Sequence, residues 1–295
     1  MSSPKLSTSQ AEQYAYQFLE TRARSAFMTP LSSAIAPSGL GESRDSNGLN
    51  GFTIDDAYLI MQHLDNIRKD EGEIAIGRKL GFTNRKLWSK YGATEAIHAP
   101  IWSTLFDSTV RFLEHPVTYQ NLEGAVQPRI EPEVVFKLGK TPDPDCNIEE
   151  LADCLEWMAH AIEIVVSPYP EWKFEAADAV AAFGLHGTLL TGEPRMLSSA
   201  SRQHLSEVLA NASISLSCDE SLLSAGYGSN VLDSPVYAIW HLHQLLKTQT
   251  NFPPLQAGEL ITTGTWTDAY PVSAGQVWST AFSGVQLPGL TVHFV

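Results

Sequence analysis

The pattern of apolar and polar positions changes character about a quarter of the way along the chain. Ser7 with Gln10 three residues on has the form of a capping box, and Tyr14, Phe18 and the Ala26–Phe27 pair mark an apolar stripe. Together they predict a helix running to about Phe27. Thr53 with Asp56 opens a second helix, in which Ile54, Ala57, Ile60, Met61, Leu64 and Ile67 fall on one face. Between the two, Ala36 to Gly51 is rich in Gly, Ser and Asn and reads as a loop. From Ile74 onward short β-type runs separated by Gly and Pro dominate: IAIGRKLGF, TVRFL, RIEPEVVFKL, AIEIVVS, GTLLTG, ASISLSC, ELITTG, VWSTAF and LTVHFV. Two further helices interrupt them. One starts at Asn147 and presents Ile148, Leu151, Leu155, Met158 and Ile162; the other starts at Ser234 with Pro235 in its first turn. The expected organisation is a small helical N-terminal region, residues 1–72, followed by a β-rich domain, residues 73–295.

Composition narrows the class. Of 295 residues 43% are hydrophobic and 18% charged, as in ordinary packed proteins. The 19 basic residues against 33 acidic ones give a net charge of −14, which argues against a nucleic-acid or anionic-membrane partner. Cys146, Cys154 and Cys218 form no CxxC pair, so neither a disulfide framework nor a thiolate zinc site is indicated. The N-terminus lacks an apolar signal core and no stretch has eighteen apolar residues, so the expected location is cytoplasmic. GxSxG and GxGxxG are absent; the glycine run AGYGSN, Ala225 to Asn230, reads as a hairpin.

Three carboxylates stand apart from the surface surplus. Strand alternation in RIEPEVVFKL puts Glu131 and Glu133 on one face, with Cα atoms about 6.6 Å apart, close enough for two oxygens to converge on a hard cation. A polar outer strand face is the plain alternative for that segment. Glu163 sits within the apolar run AIEIVV, where a buried ionised carboxylate needs a cation or a hydrogen-bonding partner. Three carboxylates without Cys suit Mg²⁺ or Mn²⁺. Lys79, in a strand with Ile74, Ile76 and Leu80 around it, is either a structural ion-pair partner or a proton donor facing a reacting centre.

The stretches GRKLGFT, RIEPEVVFKLG, AIEIVVSPYPEWKF, YGSNVLDSP and LQAGELITTGTWTDAYPVSAGQ together resemble the fumarylacetoacetate hydrolase superfamily. Within it they resemble the branch of 2-hydroxypenta-2,4-dienoate hydratases (2-keto-4-pentenoate hydratases) and 4-oxalocrotonate decarboxylases. The resemblance runs from about Ile74 to Val295 and implies an α+β fold with a mixed β-roll core. It implies metal ligands Glu131, Glu133 and Glu163, an active-site Lys79, and a substrate-carboxylate cradle at Thr263, Gly264 and Thr265. Two departures stand out. Ile101, followed by Trp102 and Ser103, occupies the place of an acid usual in these hydratases, and AAFGLHG brings in Phe183 and His186. These exchanges suggest that Trp102 and Phe183 shape a pocket for a different, larger or more apolar acyl chain, and that His186 or His98 supplies acid–base function. Trp172 and Lys173 are candidates for the border of the site.

The implied activity is that of a divalent-metal-dependent lyase working through a metal-bound enolate of a 2-oxo or 2-hydroxydienoic acid, a hydratase first. A decarboxylase, an acylpyruvate hydrolase, or a non-catalytic scaffold knit by its metal are the alternatives. The implied partners are a small 2-oxo acid and further copies of the chain in a dimer or larger homo-oligomer.

Overall fold

The computed structural model describes residues 6–34, 51–84 and 100–295. Helix α1 (Thr8–Ala23) starts at the Ser7–Gln10 capping box, as expected, but ends four residues early, because Ser25 turns left-handed at φ 51. A short α2 (Leu31–Ala34) follows. Helix α3 (Ile54–Asp70) begins at the Thr53–Asp56 box and buries Ala57, Ile60, Met61 and Leu64. Nearly all of the expected loop 36–51, and His98, lie outside the described residues.

In chain order the remaining elements are β1 (Ala75–Gly81), β2 (Ile101–Phe106), β3 (Val110–Phe112), β4 (Val117–Gln120), β5 (Arg129–Leu138), α4 (Ile148–Asp153), β6 (Leu155–Val165), α5 (Ala176–Ala181), β7 (His186–Thr191) and β8 (Arg195–Met196). Then come α6 (Ser199–Arg202), α7 (Leu205–Asn211), β9 (Ser213–Cys218), β10 (Ser221–Tyr227), α8 (Pro235–Thr248), β11 (Leu260–Thr262), β12 (Tyr270–Pro271), β13 (Val277–Ser283) and β14 (Thr291–Phe294). A nine-stranded mixed sheet runs β2-β1-β11-β5-β6-β7-β3, with β12 and β8 attached to β5 and β6. A second, five-stranded sheet runs β10-β9-β13-β14-β4. This is the expected α+β class with a mixed β core.

Two readings of the sequence need correction. The helix expected from Asn147 through Ile162 is helical only to Asp153; Leu155 onward is the eleven-residue strand β6. All but one of its residues are buried, so the strand carries apolar side chains on both faces and shows no alternation to distinguish it from a helix. AGYGSN is not a hairpin: its first half closes β10 and its second half is a 3₁₀ turn.

The faces of the large sheet do different work. Val134, Phe136, Leu80, Trp102 and Ile261 pack with Ala15, Phe18, Ile60, Met61 and Leu64, so one hydrophobic core joins the N-terminal helices to the sheet. Ile130, Ile162, Ile164 and Leu190 pack against the second sheet. Val135, Trp157, Ala159, Ala161, Leu189 and Leu260 line the inside of the curl, at one end of which the carboxylates gather.

Candidate metal centre and its cavity

β5 and β6 are antiparallel and place Glu131 directly opposite Glu163, with Glu133 two residues on and on the same face. One carboxylate oxygen from each of the three lies within 4.8 Å of the others. Glu133 and Glu163 are fully buried and Glu131 is half-buried toward the cavity. Glu133 Oε2 accepts the Gly264 N–H at 2.8 Å, and Glu163 Oε1 is 2.7 Å from His186 Nδ1. Glu133 Oε1 and Glu163 Oε2 have no hydrogen-bond partner among the described residues.

Burial pushes the Glu163 carboxyl up to about 7 and raises Glu131 as well; Glu133 is driven well above the usual range by burial and then by the like charges of Glu163 and Glu131. Lys79 Nζ lies 3.7 Å from Glu163 Oε2 and donates to Gly184 O at 2.8 Å. Burial works against its charge, but Glu163, Glu131 and Glu133 outweigh burial and hold the ammonium above its ordinary range. Three carboxylates against one ammonium leave two negative charges, the charge of one divalent cation. With two buried oxygens left without partners and an all-oxygen donor set, the residues fit a hard divalent ion.

The cavity beside the carboxylates has a volume of about 410 Å³. Lys79, Glu131, Gly264 and Thr265 lie in its wall, together with Ile101, Arg129, Trp172, Phe174 and Tyr270. Arg129 stacks on the Trp172 ring at 4.2 Å, and both line the cavity. Lys173 points away and pairs with Glu171 on the surface. Sequence reasoning passed over Arg129, although its place two residues before Glu131 puts it on the same strand face.

The other expected residues are placed as follows. Thr263 is buried and its hydroxyl donates to Val134 O at 2.8 Å, which braces the turn. Gly264 has φ +94, and a Cβ there would stand 1.9 Å from Thr83 Oγ1, so only glycine fits. Trp102 is not in the cavity. Alternation along β2 turns Ile101 inward and Trp102 to the helix side, where its indole donates to Gln249 Oε1 at 2.7 Å and packs on Tyr58 and Phe252. Phe183 is also outside: its ring lies under the Arg22 guanidinium at 4.7 Å and lines a second cavity.

His186 meets Glu163 but does not line the main cavity. Its Nε2 lies 2.9 Å from Thr109 Oγ1, and burial, then Arg22, Lys79 and Arg68, keep the imidazole neutral. With both ring nitrogens committed to the protein, it orients Glu163 and is not placed to exchange protons with a substrate. It leaves a turn in which Phe183, Gly184 and Leu185 are all left-handed, at φ 57, 61 and 61. For the two non-glycine residues that costs on the order of 2–4 kcal/mol in total, which the surroundings must offset.

No family model matches the chain. It is 29% identical over 240 residues to the 2-hydroxyhexa-2,4-dienoate hydratase of Comamonas testosteroni, covering 79% of this chain and 84% of that protein. Its structure resembles that of 4-oxalocrotonate decarboxylase from Pseudomonas putida G7 complexed with magnesium and adipate, with a TM-score of 0.81 over 99% of both chains at 20% identity. A more distant likeness, TM-score 0.52 at 16% identity, covers 74% of this chain and 88% of fumarylpyruvate hydrolase from Pseudomonas aeruginosa in complex with Mn²⁺ and pyruvate. The curled mixed sheet, with the carboxylate triad on its central strand pair, is the fold that these solved structures share. The chain is also similar to the 2-keto-4-pentenoate hydratase of Paraburkholderia xenovorans, 28% identical over 241 residues that cover 79% of this chain and 82% of that protein.

Proposed function

We propose that the protein is a divalent-metal-dependent lyase acting on a small 2-oxo or 2-hydroxydienoic acid, and that its reaction is hydration. The observation that carries this reading is the convergence of Glu131, Glu133 and Glu163 beside Lys79 at the wall of the cavity. The three glutamates would hold Mg²⁺ or Mn²⁺, which supplies a Lewis acid for the substrate's carboxylate and 2-oxygen.

The chain's own groups do the rest. Lys79 keeps a proton on Nζ at the cavity wall, held in place by Gly184 O, and is the group positioned to deliver it to the substrate. His186 fixes the rotamer of Glu163, and the Gly264 N–H fixes that of Glu133. Arg129, stacked on Trp172 at the cavity wall, is offered to the substrate's negative charge, and Thr265 and Gly264 border the same space. Trp172, Phe174 and Tyr270 exclude water from the chain of the substrate.

Loss of CO₂ is the second reading. It is favoured by Ile101, which presents a hydrocarbon to the cavity where activating a water calls for a carboxylate base. A panel of 2-hydroxydienoates, oxalocrotonate-type acids and acylpyruvates with Mg²⁺ and Mn²⁺, scored separately for water addition, CO₂ release and C–C cleavage, decides between them. Glu131→Gln is expected to abolish turnover while leaving the fold; a fully active, still metal-dependent variant would overturn the assignment.

We also read the protein as a cytoplasmic homo-oligomer. Its edge strand β10 exposes Leu222, Leu223 and Tyr227, and light scattering of the purified chain tests the assembly.

A further inference from the structure

The turn at residues 183–187 carries the anchors of the centre and lines the cavity with Gly184 and Leu185. Gly184 O receives Lys79 Nζ at 2.8 Å, and the His186 imidazole holds Glu163 Oε1 at 2.7 Å. Three left-handed residues in succession, two of them bulky, do not hold that shape unaided. What grips them from outside is the N-terminal helical region. Arg22, at the end of α1, donates to His186 O at 3.0 Å and to Gly187 O at 3.4 Å, and its guanidinium covers the Phe183 ring at 4.7 Å. Behind it Arg68 of α3, fixed on Glu73 and packed on Phe106 at 3.9 Å, stands 5.8 Å from the Phe183 ring. From the opposite side Ser103 presses so close to Gly184 that a Cβ would meet its Oγ at 2.5 Å.

We propose that Arg22 is a positioning residue of the metal centre: by clamping the left-handed turn it sets both the Lys79 ammonium and the Glu163 carboxylate, and so makes helix α1 a working part of the site. This rests on the reading that Glu131, Glu133 and Glu163 hold a divalent cation. The clamp needs the planar fork of arginine. One head group reaches two successive carbonyls while its flat face lies on a ring, and a lysine ammonium can do only one of these.

The test is calorimetric titration of the full-length chain with Mn²⁺, with no substrate present. Arg22→Met is expected to weaken Mn²⁺ binding about tenfold, as loss of a group that orients a ligand does. Arg22→Lys, which restores the charge and one hydrogen bond, is expected to fall between Met and wild type. Two controls separate positioning from general stability. Arg24→Gln removes an exposed pair with Glu20 and is expected to change nothing; Ala15→Gly loosens the buried interior of α1 and is expected to lower the melting temperature while keeping Mn²⁺ affinity. Should Arg22→Met fail to fold, Phe183→Leu, which removes only the stacked ring, is expected to weaken binding severalfold. The proposal is overturned if the folded Arg22 variants bind Mn²⁺ within twofold of wild type, or if Ala15→Gly weakens binding as much as Arg22→Met does. Wild-type protein that binds no Mn²⁺ would overturn the metal reading itself, and the clamp with it.

Discussion

Replacing Glu163 by glutamine should make the metal-free protein more stable and the metal-loaded protein less so. Glu163 titrates at about 7 in the fold against 4.5 for an ordinary glutamate, with burial as the main cause. A folded pKa above the unfolded one means that the folded state binds the proton more tightly, so stability is lost as pH rises from about 4.5 through 7. At 1.36 kcal/mol per unit the loss at pH 8 is about 3 kcal/mol, and the neutral amide of Glu163→Gln would not incur it. Part of that gain is returned because Lys79, 3.7 Å away, loses one of its counter-charges. A net gain of about 2 kcal/mol remains, or roughly 4–6 °C in Tm for a chain of this size. With Mg²⁺ or Mn²⁺ at a hundredfold excess over Kd the wild type gains about 2.7 kcal/mol, while the variant, short of one charged ligand, gains little. Thermal and urea unfolding at pH 5 and pH 8, with chelator and with metal, should therefore show the order of the two proteins reversing. A variant less stable than wild type in chelator at pH 8, or one stabilised by metal to the same extent, would refute the charge reasoning.

Other outcomes follow from the same geometry. Burial lifts Asp65 to about 6 against its ordinary 3.8, so the wild type loses stability as pH rises from about 4 to 6; Asp65→Asn, which keeps an acceptor for Thr104, should match wild type near pH 4 and exceed it by up to about 3 kcal/mol at pH 8 in urea unfolding. Gly264→Ala should collide with Thr83 and pull the N–H away from Glu133, lowering both Tm and metal affinity; unchanged calorimetry would contradict the tight fit. Trp102→Phe should cost about 1–3 kcal/mol, because Gln249 Oε1 is left unpaired in the core, yet leave KM unchanged, whereas a KM effect would return Trp102 to the substrate cavity.

What can be read from the chain is what depends on neighbours along it. The capping boxes at Ser7 and Thr53 and the bounds of β5 follow from local chemistry, and so does the shared face of Glu131 and Glu133. Bringing Glu163 to them takes the inference that a carboxylate among apolar residues needs a partner, which His186 and Lys79 supply, while the strand pairing sets it opposite Glu131. The misreadings have two causes. β6 is buried on both faces, so its apolar residues match a helical period as well as a strand. Trp102 and Phe183 adjoin altered motifs, which suggests the pocket, but position in a motif does not fix direction. Alternation in β2 sends Trp102 to the helices, and a left-handed turn sends the Phe183 ring to Arg22. Arg22 itself is 164 residues from the carbonyl it holds, and nothing local could announce that contact.

The order of strands sets a limit on when this protein can work. Lys79 on β1 and Glu133 on β5 do not sit on adjacent strands; the three residues of β11, Leu260–Thr262, lie between them, bonded in parallel to one and antiparallel to the other. The turn after β11 then supplies Gly264 to Glu133. A chain still emerging from the ribosome therefore carries all three glutamates and the lysine long before it has the wedge that spaces them. Only when the C-terminal stretch beyond β11 is being made can the two halves of the cavity come together.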